Sequence, residues 1–365
     1  MDDNLRVAIV TDWMLKPGGA DRLLISMLKV IPNADIYTSI YFKDNYSGDF
    51  NIINNVYPSF LQKFPFKKKL ARHYNLLTPI AFENFNLEKY DIVLSLSAGP
   101  AKGIISGFNN KHISIILTPP RYLWDKDSNF RASRLRFLYQ FVTPFVSTYL
   151  RVWDKSTVLR SDKTISISKY IKSKVQKYYR IDSDLLYPGI GEFWFSKQPN
   201  QSGGYFLCVS RLYDYKRIDW AIKSAIEANR RLLIVGTGPD EKFLKKLVSK
   251  KDNIEFLGNI SDIELKDLYS KADALIFPGV EDYGYVPLEA MASGTPVLGL
   301  NEGGVFETVE EGLTGEFFST IEELTELLRN FDKSKYNHDN IVEYTRRFSE
   351  ERFHDNLRQI MQEII

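Results

Sequence analysis

Two doubly wound α/β domains are predicted by this sequence, on three observations. The chain has 365 residues, more than a single hydrophobic core usually serves. Short continuous apolar runs alternate with segments of helical periodicity, the pattern of parallel strands covered on both faces by helices. The alternation occurs twice, and the polar stretch Gln198–Gly204 (QPNQSGG) reads as the linker between the two series.

The first series opens with the β-rich run Arg6–Val10. Gly18-Gly19 follows, then a helix over Ala20–Ile31, with Leu23, Leu24, Met27, Leu28 and Ile31 at helical spacing. Asp91–Leu96, Ile113–Leu117 and Thr164–Ile167 read as further strands. Ser168 caps a basic helix running to about Tyr179, and Leu185–Tyr187 is a last strand stopped by Pro188-Gly189. The second series pairs strand Phe206–Val209 with helix Ile218–Ala228, and strand Leu232–Val235 with a helix over Glu241–Lys250. Strand Ile254–Leu257, helix Asp262–Ala272, strand Ala274–Phe277, helix Pro287–Ser293 and strand Pro296–Leu300 follow. The tail Asp339–Ile365 reads as charged helix. The expected division is 1–190, 191–340 and a final helical segment 341–365, with a cleft between the C-terminal edges of the two sheets.

Composition narrows the function classes. Hydrophobic content of 44% and charged content of 26% are ordinary for a soluble globular chain. One cysteine, Cys208, sits in an apolar run, so no disulfide framework is expected and a reducing, cytoplasmic compartment is. The four histidines are scattered, and no Cys/His cluster has zinc spacing. The N-terminus lacks signal-peptide character. The best membrane-span candidate, Phe137–Leu150, is too short and carries Pro144. Net charge is +2, but residues 1–190 carry 27 Lys and Arg against 16 Asp and Glu, and residues 191–365 carry 21 against 30. A basic first half fits an anionic partner: nucleic acid, an anionic membrane or a pyrophosphate-bearing acceptor. No nucleic-acid readout motif accompanies it.

The chemistry-bearing residues fall at strand ends. Gly18-Gly19 lies between the first strand and its helix, where backbone amides can approach an anion, or where a plain tight turn is needed. Arg211 and Lys216 leave the C-terminal end of strand Phe206–Val209, and two fixed cations there suit a diphosphate. Gly236-Thr237-Gly238-Pro239 is a phosphate-like turn with too few glycines for a dinucleotide fingerprint. Glu281 follows strand Ala274–Phe277, placed to accept hydrogen bonds from polyol hydroxyls. Glu289 sits one turn into the next helix, placed for a ribose. The amides of Tyr285 and Val286 precede Pro287, read as the first helical residue, and give a positive helix end for phosphate.

Arg211, Lys216 and the run FPGVEDYGYVPLEAMASGTPVLGLNEGG resemble the nucleotide-sugar half of family 4 retaining glycosyltransferases of the GT-B fold, whose Glu-x7-Glu signature falls on Glu281 and Glu289. In the first half, GGADR, YDIVLSLSAGPAKG, TPPRYLWD and WDKSTVLRSDKTISISKYI resemble the mannosyl- and rhamnosyl-type subgroup that builds O-antigen and other surface polysaccharides. The resemblance spans nearly the whole chain. It implies an acceptor-binding first domain, a nucleotide-sugar-binding second domain and a last helix crossing back to the first. It also implies that Arg211 and Lys216 hold the diphosphate with Gly18 and Gly19. Gly238 and Ile260 would line the nucleotide site with Tyr285 and Val286. Glu289 would hold the ribose, and Glu281 with the Asp282–Tyr283–Gly284 backbone the sugar. Lys102 and Arg121 would lie on the acceptor side. Glu281, Arg211 and Lys216 would carry catalysis, without metal or cofactor.

Two departures matter. The family usually has His-Thr-Pro where this chain has Leu117-Thr118-Pro119, beside the donor sugar, and Glu where GGADR has Asp21. Leucine offers methyl groups and no hydrogen bond, so a 6-deoxy sugar or a pentose is expected to be favoured if Leu117 faces the sugar. Asp182-Ser183-Asp184 imitates a metal-binding Asp-x-Asp, but its place before a strand fits a turn or cap. Tyr57–Lys69 interleaves aromatics and lysines, as an amphipathic segment on an anionic bilayer or as an acceptor-side loop. The expected function is transfer of a sugar from a GDP-, UDP- or dTDP-linked donor to a lipid-linked saccharide at the inner face of the cell membrane. The alternative is a catalytically silent nucleotide-sugar binder that scaffolds a partner transferase.

Overall fold

The computed structural model describes residues 5–46, 48–53, 55–65, 74, 76–125, 136–196 and 202–364. The chain divides into two compact units, Met1–Pro188 with Phe353–Ile365, and Gly189–Arg352. Each is a parallel sheet flanked by helices, so the structure has the pair of Rossmann-like domains that the sequence predicts.

In the first unit, β1 (Val7–Thr11), β2 (Asp35–Thr38), β3 (Val56–Pro58), β4 (Ile92–Ser97), β5 (Lys111–Ile116), β6 (Lys163–Ser166) and β7 (Asp184–Leu185) run in the order β3-β2-β1-β4-β5-β6-β7. Every residue of β1 and β4 is buried, which is why the central strands are the clearest apolar runs in the sequence. The helices are α1 (Gly19–Val30), α2 (Thr78–Glu83), α3 (Arg121–Trp124), α4 (Arg136–Thr157) and α5 (Lys169–Tyr179). In the second unit, β8 (Phe206–Val209), β9 (Leu232–Val235), β10 (Ile254–Gly258), β11 (Leu275–Phe277), β12 (Val297–Leu300) and β13 (Gly315–Phe318) run in the order β10-β9-β8-β11-β12-β13. Its helices are α6 (Ile218–Glu227), α7 (Glu241–Lys246), α8 (Asp262–Lys271), α9 (Tyr285–Ala292), α10 (Val305–Thr308), α11 (Ile321–Asn330) and α12 (His338–Thr345). The last helix, α13 (Glu350–Ile364), belongs to the first unit from Phe353 onward. There Ser26 Oγ lies 3.0 Å from His354 Nε2 and Lys163 pairs with Glu363 at 3.0 Å.

Two differences from the expectation have physical reasons. Residues 341–352, expected with the returning segment, stay in the second unit, because α12 and the turn after it are pinned there. Ile190 donates its amide to Phe348 O and Glu350 donates to Ile190 O, both at 2.9 Å. The short strands β2, β3 and β13 carry too few apolar residues to announce themselves. The run Phe137–Leu150 lies inside α4, with Pro144 within the helix. No helix among the described residues is long and apolar enough to cross a membrane. Of the segment Tyr57–Lys69, Phe66–Lys69 lie outside the described residues, as do residues 198–201 of the linker.

Candidate functional site

The second sheet reverses its strand order between β8 and β11, which pair in parallel through Leu207 and Leu275. Such a reversal opens a crevice outside the carboxyl ends of the two strands, where ligands bind in doubly wound sheets. Arg211 and Lys216 are on the loop leaving β8, and Glu281 is on the loop leaving β11. The structure brings Lys216 and Glu281 together as an ion pair, with the lysine side chain 8% exposed and the glutamate 26%.

Local backbone geometry sets this pair. Lys216 ends the short 3-10 turn Asp214–Lys216, and Arg217 after it takes φ 52°, a left-handed conformation uncommon for a non-glycine residue, from which α6 starts. The Lys216 ammonium lies 5.0 Å from the Tyr215 ring centroid. Arg211 is exposed, its guanidinium 5.8 Å from the Tyr213 ring. Across the crevice, a Cβ at Gly279 would stand 3.2 Å from Lys216 Cα and 3.3 Å from its Cδ, so the glycine lets the β11 loop lie against the lysine stem. Gly303 has φ +86°, and a Cβ there would meet Glu281 O at 2.6 Å. The neighbouring Gly304 amide donates to that same oxygen at 2.8 Å. The backbone of Glu281 is thus clamped independently of its side chain.

The turn Gly236–Gly238 serves this loop rather than standing apart from it. Gly236 has φ +118° and lies against Ser210 O. Gly238 lies against the Leu212 backbone, where any Cβ would collide at 2.2 Å. Leu212 donates its amide to Thr237 O at 3.0 Å. Close packing of one loop on another therefore accounts for the glycines that read as a phosphate-like turn. Ile260 is half-buried, just before Ser261, which caps α8.

Glu289 lies on α9 and is 2% exposed. Its Oε2 accepts a hydrogen bond from the Tyr269 hydroxyl at 3.0 Å. Tyr269, wholly buried on α8, had no signal in the sequence beyond helical periodicity. Helix α9 starts at Tyr285, after Gly284 with φ +99°, so Pro287 is its third residue rather than its first. A proline there removes an amide that the first helical turn leaves without an intrahelical acceptor. Val286 belongs to this first turn. Asp282 is half-buried and Tyr283 buried, its ring 5.6 Å from that of Tyr285.

The first sheet reverses between β1 and β4, and charged groups fill that reversal. Asp12, just past β1, accepts hydrogen bonds from the amides of Ala98 (2.6 Å) and Ala101 (2.7 Å). Burial pushes its carboxyl up to about 6. Lys102 donates to Gly99 O at 2.7 Å and pairs with Asp154, both side chains at most 2% exposed. Asp154 Oδ2 also accepts from Trp124 Nε1 and the Tyr179 hydroxyl, each at 2.8 Å. The expectation that Lys102 faces an acceptor is therefore corrected, since its ammonium is sealed inside the unit by partners of its own.

The remaining expected residues of this unit are more open. Arg121 is half-buried at the start of α3, and Leu117 and Thr118 are half-buried after β5. Leu117 donates its amide to Ser97 O at 2.8 Å. Gly18 and Gly19 are exposed, but the Gly18 amide donates to Asp21 Oδ2 at 2.9 Å. The glycine pair thus serves the start of α1, and Gly18 does not hold its amide ready for an anion. Tyr46 donates its hydroxyl to Asp21 Oδ1 at 2.9 Å, which gives GGADR its aspartate a structural task. Asp182 pairs with Lys172 at 3.0 Å, and Asp184, opening β7, pairs with Lys163 at 3.1 Å.

Residues 191–348 match the model of the family Glycosyl transferases group 1. The O-antigen chain mannosyltransferase RfbU of Salmonella typhimurium is 29% identical over 216 residues, 53% of this chain and 61% of that protein. The alpha-1,3/1,6-mannosyltransferase ALG2 of Dictyostelium discoideum is 26% identical over 356 residues, 82% of each chain. The alignments span 61% and 63% of the first two curated relatives, less than two thirds of either. In fold, the chain is similar to Anabaena Alr3699/HepE, whose crystal structure is a complex with UDP. The TM-score is 0.72 at 16% identity, covering 98% of this chain and 100% of that one. The fold is accordingly that of GT-B glycosyltransferases. By the match over residues 191–348, the second unit is similar to the group 1 glycosyl transferases.

Proposed function

We propose that the chain transfers a sugar from a nucleoside-diphosphate donor to a lipid-linked saccharide with retention of configuration, in surface-polysaccharide assembly. The observation that carries the reading is the Lys216–Glu281 pair at the strand-order reversal of the second sheet, with Arg211 exposed on the same loop. Arg211, Lys216 and the first-turn amides of α9 neutralise the departing diphosphate, where charge grows as the glycosidic bond breaks. Glu281 accepts hydrogen bonds from the sugar hydroxyls, and Glu289, oriented by Tyr269, accepts from the ribose. A leaving phosphate oxygen takes the acceptor proton. The names of the mannosyltransferase relatives and the UDP-bound neighbour support the donor class.

Charge and an exposed apolar stripe support peripheral contact with an anionic membrane. Phe145, Tyr149 and Val152 on α4, and Leu159 just beyond it, recur at helical spacing and are exposed, within the unit that carries the basic excess.

The test is turnover and thermal stabilisation across GDP-, UDP- and dTDP-sugars. A donor at about 100 times its Kd adds ~2.7 kcal/mol of stability. Stabilisation by none of them overturns the reading; stabilisation without transfer to a polyprenyl-linked acceptor turns it into a silent scaffold. Activity is expected to survive excess EDTA, because cationic side chains and amides neutralise the diphosphate. Loss on chelation and rescue by Mg²⁺ would refute that. Paired donors, GDP-mannose against GDP-rhamnose, test Leu117: preference for the 6-deoxy sugar is expected, and preference for mannose would exclude a sugar-facing leucine.

A further inference from the structure

We propose that Glu281 is the resident counter-ion of Lys216, and that a nucleoside diphosphate binds by displacing it, which turns the glutamate toward the sugar. The inference rests on the donor-site reading above and adds an order of events to it.

Three observations carry it. First, the two partners differ in freedom. The Lys216 side chain is 8% exposed and walled by Gly279 and the Tyr215 ring, whereas Glu281 is 26% exposed. A buried ammonium needs a carboxylate or phosphate beside it, and the glutamate is the partner with access to water. Second, the backbone of Glu281 is fixed by the Gly304 amide and by the close approach of Gly303. Exchange therefore needs only side-chain rotation, with the β11 loop in place. Third, Lys216 and Glu281 stand on the loops of adjacent strands, so an anion reaching Lys216 necessarily meets Glu281.

The consequence is discrimination between donor and product. A bare nucleoside diphosphate must break the pair and leaves the carboxylate's negative charge next to its own phosphates. An intact donor breaks the same pair but supplies hydroxyls that hydrogen-bond the displaced carboxylate. After transfer the sugar is gone, Glu281 returns to Lys216, and the product diphosphate is expelled. Glu281 thus favours sugar binding and product release through one contact.

The experiment is calorimetric titration of the full chain and of Glu281→Gln with bare UDP and GDP and with the corresponding nucleotide sugars. Glu281→Gln is expected to bind the bare diphosphate that the wild type prefers about tenfold more tightly. The preference for intact donor over bare diphosphate should shrink by a larger factor. Glu281→Asp, which keeps the charge on a shorter stem, should tighten bare diphosphate by a smaller factor, and it guards against a folding defect in the first variant. Equal or weaker binding of bare diphosphate by both variants, with the wild type binding it, overturns the exchange and leaves the donor site standing. Failure of the wild type to bind any nucleoside diphosphate or its sugar overturns both.

Discussion

Each sheet of this protein reverses its strand order once, and each reversal holds a lysine paired with a carboxylate, yet the two pairs are built for opposite ends. At the β1/β4 reversal Lys102 and Asp154 are sealed, and the aspartate is saturated by Trp124 and Tyr179. At the β8/β11 reversal Lys216 is nearly as buried, but Glu281 keeps a face to water and has its backbone held separately. A sealed pair has no route to exchange, so it locks a loop. A half-open pair can trade its carboxylate for an incoming anion. Exposure of the acid, rather than that of the lysine, separates the sealed pair from the one proposed to admit a ligand.

The comparison breaks most visibly when each lysine is removed. Lys102→Met leaves Asp154 charged and buried, and unfolding in urea should show a loss of about 3–5 kcal/mol. Lys216→Met leaves Glu281 free to turn to water, so its stability should stay within about 1 kcal/mol of wild type while nucleotide affinity collapses. Comparable destabilisation by the two would erase the distinction.

The pH dependence of the first unit sharpens it. Asp12 is raised to about 6, above its unfolded value, so its contribution to stability is present at acid pH and is lost as pH rises through 6. His112 is buried and lowered to about 4, by burial first. Its folded form resists protonation, so its contribution is lost as pH falls from about 6.5 to 4. The two slopes oppose each other over the same window. Asp12→Asn should remove one of them, and relative to wild type the variant should lose on the order of 3 kcal/mol more on acidification from pH 6.5 to 4. Parallel curves for the two proteins would show that Asp12 stays ionised throughout.

Glu289→Gln should weaken nucleotide binding by roughly 10–100-fold, since a charged acceptor is worth ~1.5–3 kcal/mol. Glu281→Gln should lower turnover without that loss. Equal weakening of nucleotide by both would contradict the division of labour. The smallest effect is expected from Gly279→Ala, whose methyl presses on the Lys216 stem; about 1 kcal/mol of crowding should cost nucleotide affinity roughly fivefold, with little change in melting. Unchanged affinity would mean that the lysine stem tolerates displacement.

Much of the fold was legible because central parallel strands bury both faces. Phe206–Val209 and Leu232–Val235 are unbroken apolar runs, and the structure gives them the same bounds. The strands β2, β3 and β13 were not legible, since three or four residues carry too little pattern, whereas helix α11 carries Leu324, Leu327 and Leu328 at helical spacing and was legible in principle. The residue types of the candidate site were legible too, because chemistry limits what can stand beside a diphosphate. Two cations after one strand and two glutamates around the next are a local pattern. Their pairing is not local: whether Lys216 meets Glu281, or Lys102 is walled in by Asp154 and Tyr179, depends on which strands become neighbours and how closely loops pack. The sequence alone determined the periodicity, the charge split and the supply of reactive groups, all of which are read along the chain. Only the tertiary structure decided exposure: Lys102 is paired with a sealed aspartate, Lys216 with a glutamate that keeps a face to water. Burial is set by residues far apart in sequence, and a lysine in a strand-end loop reads the same in both places.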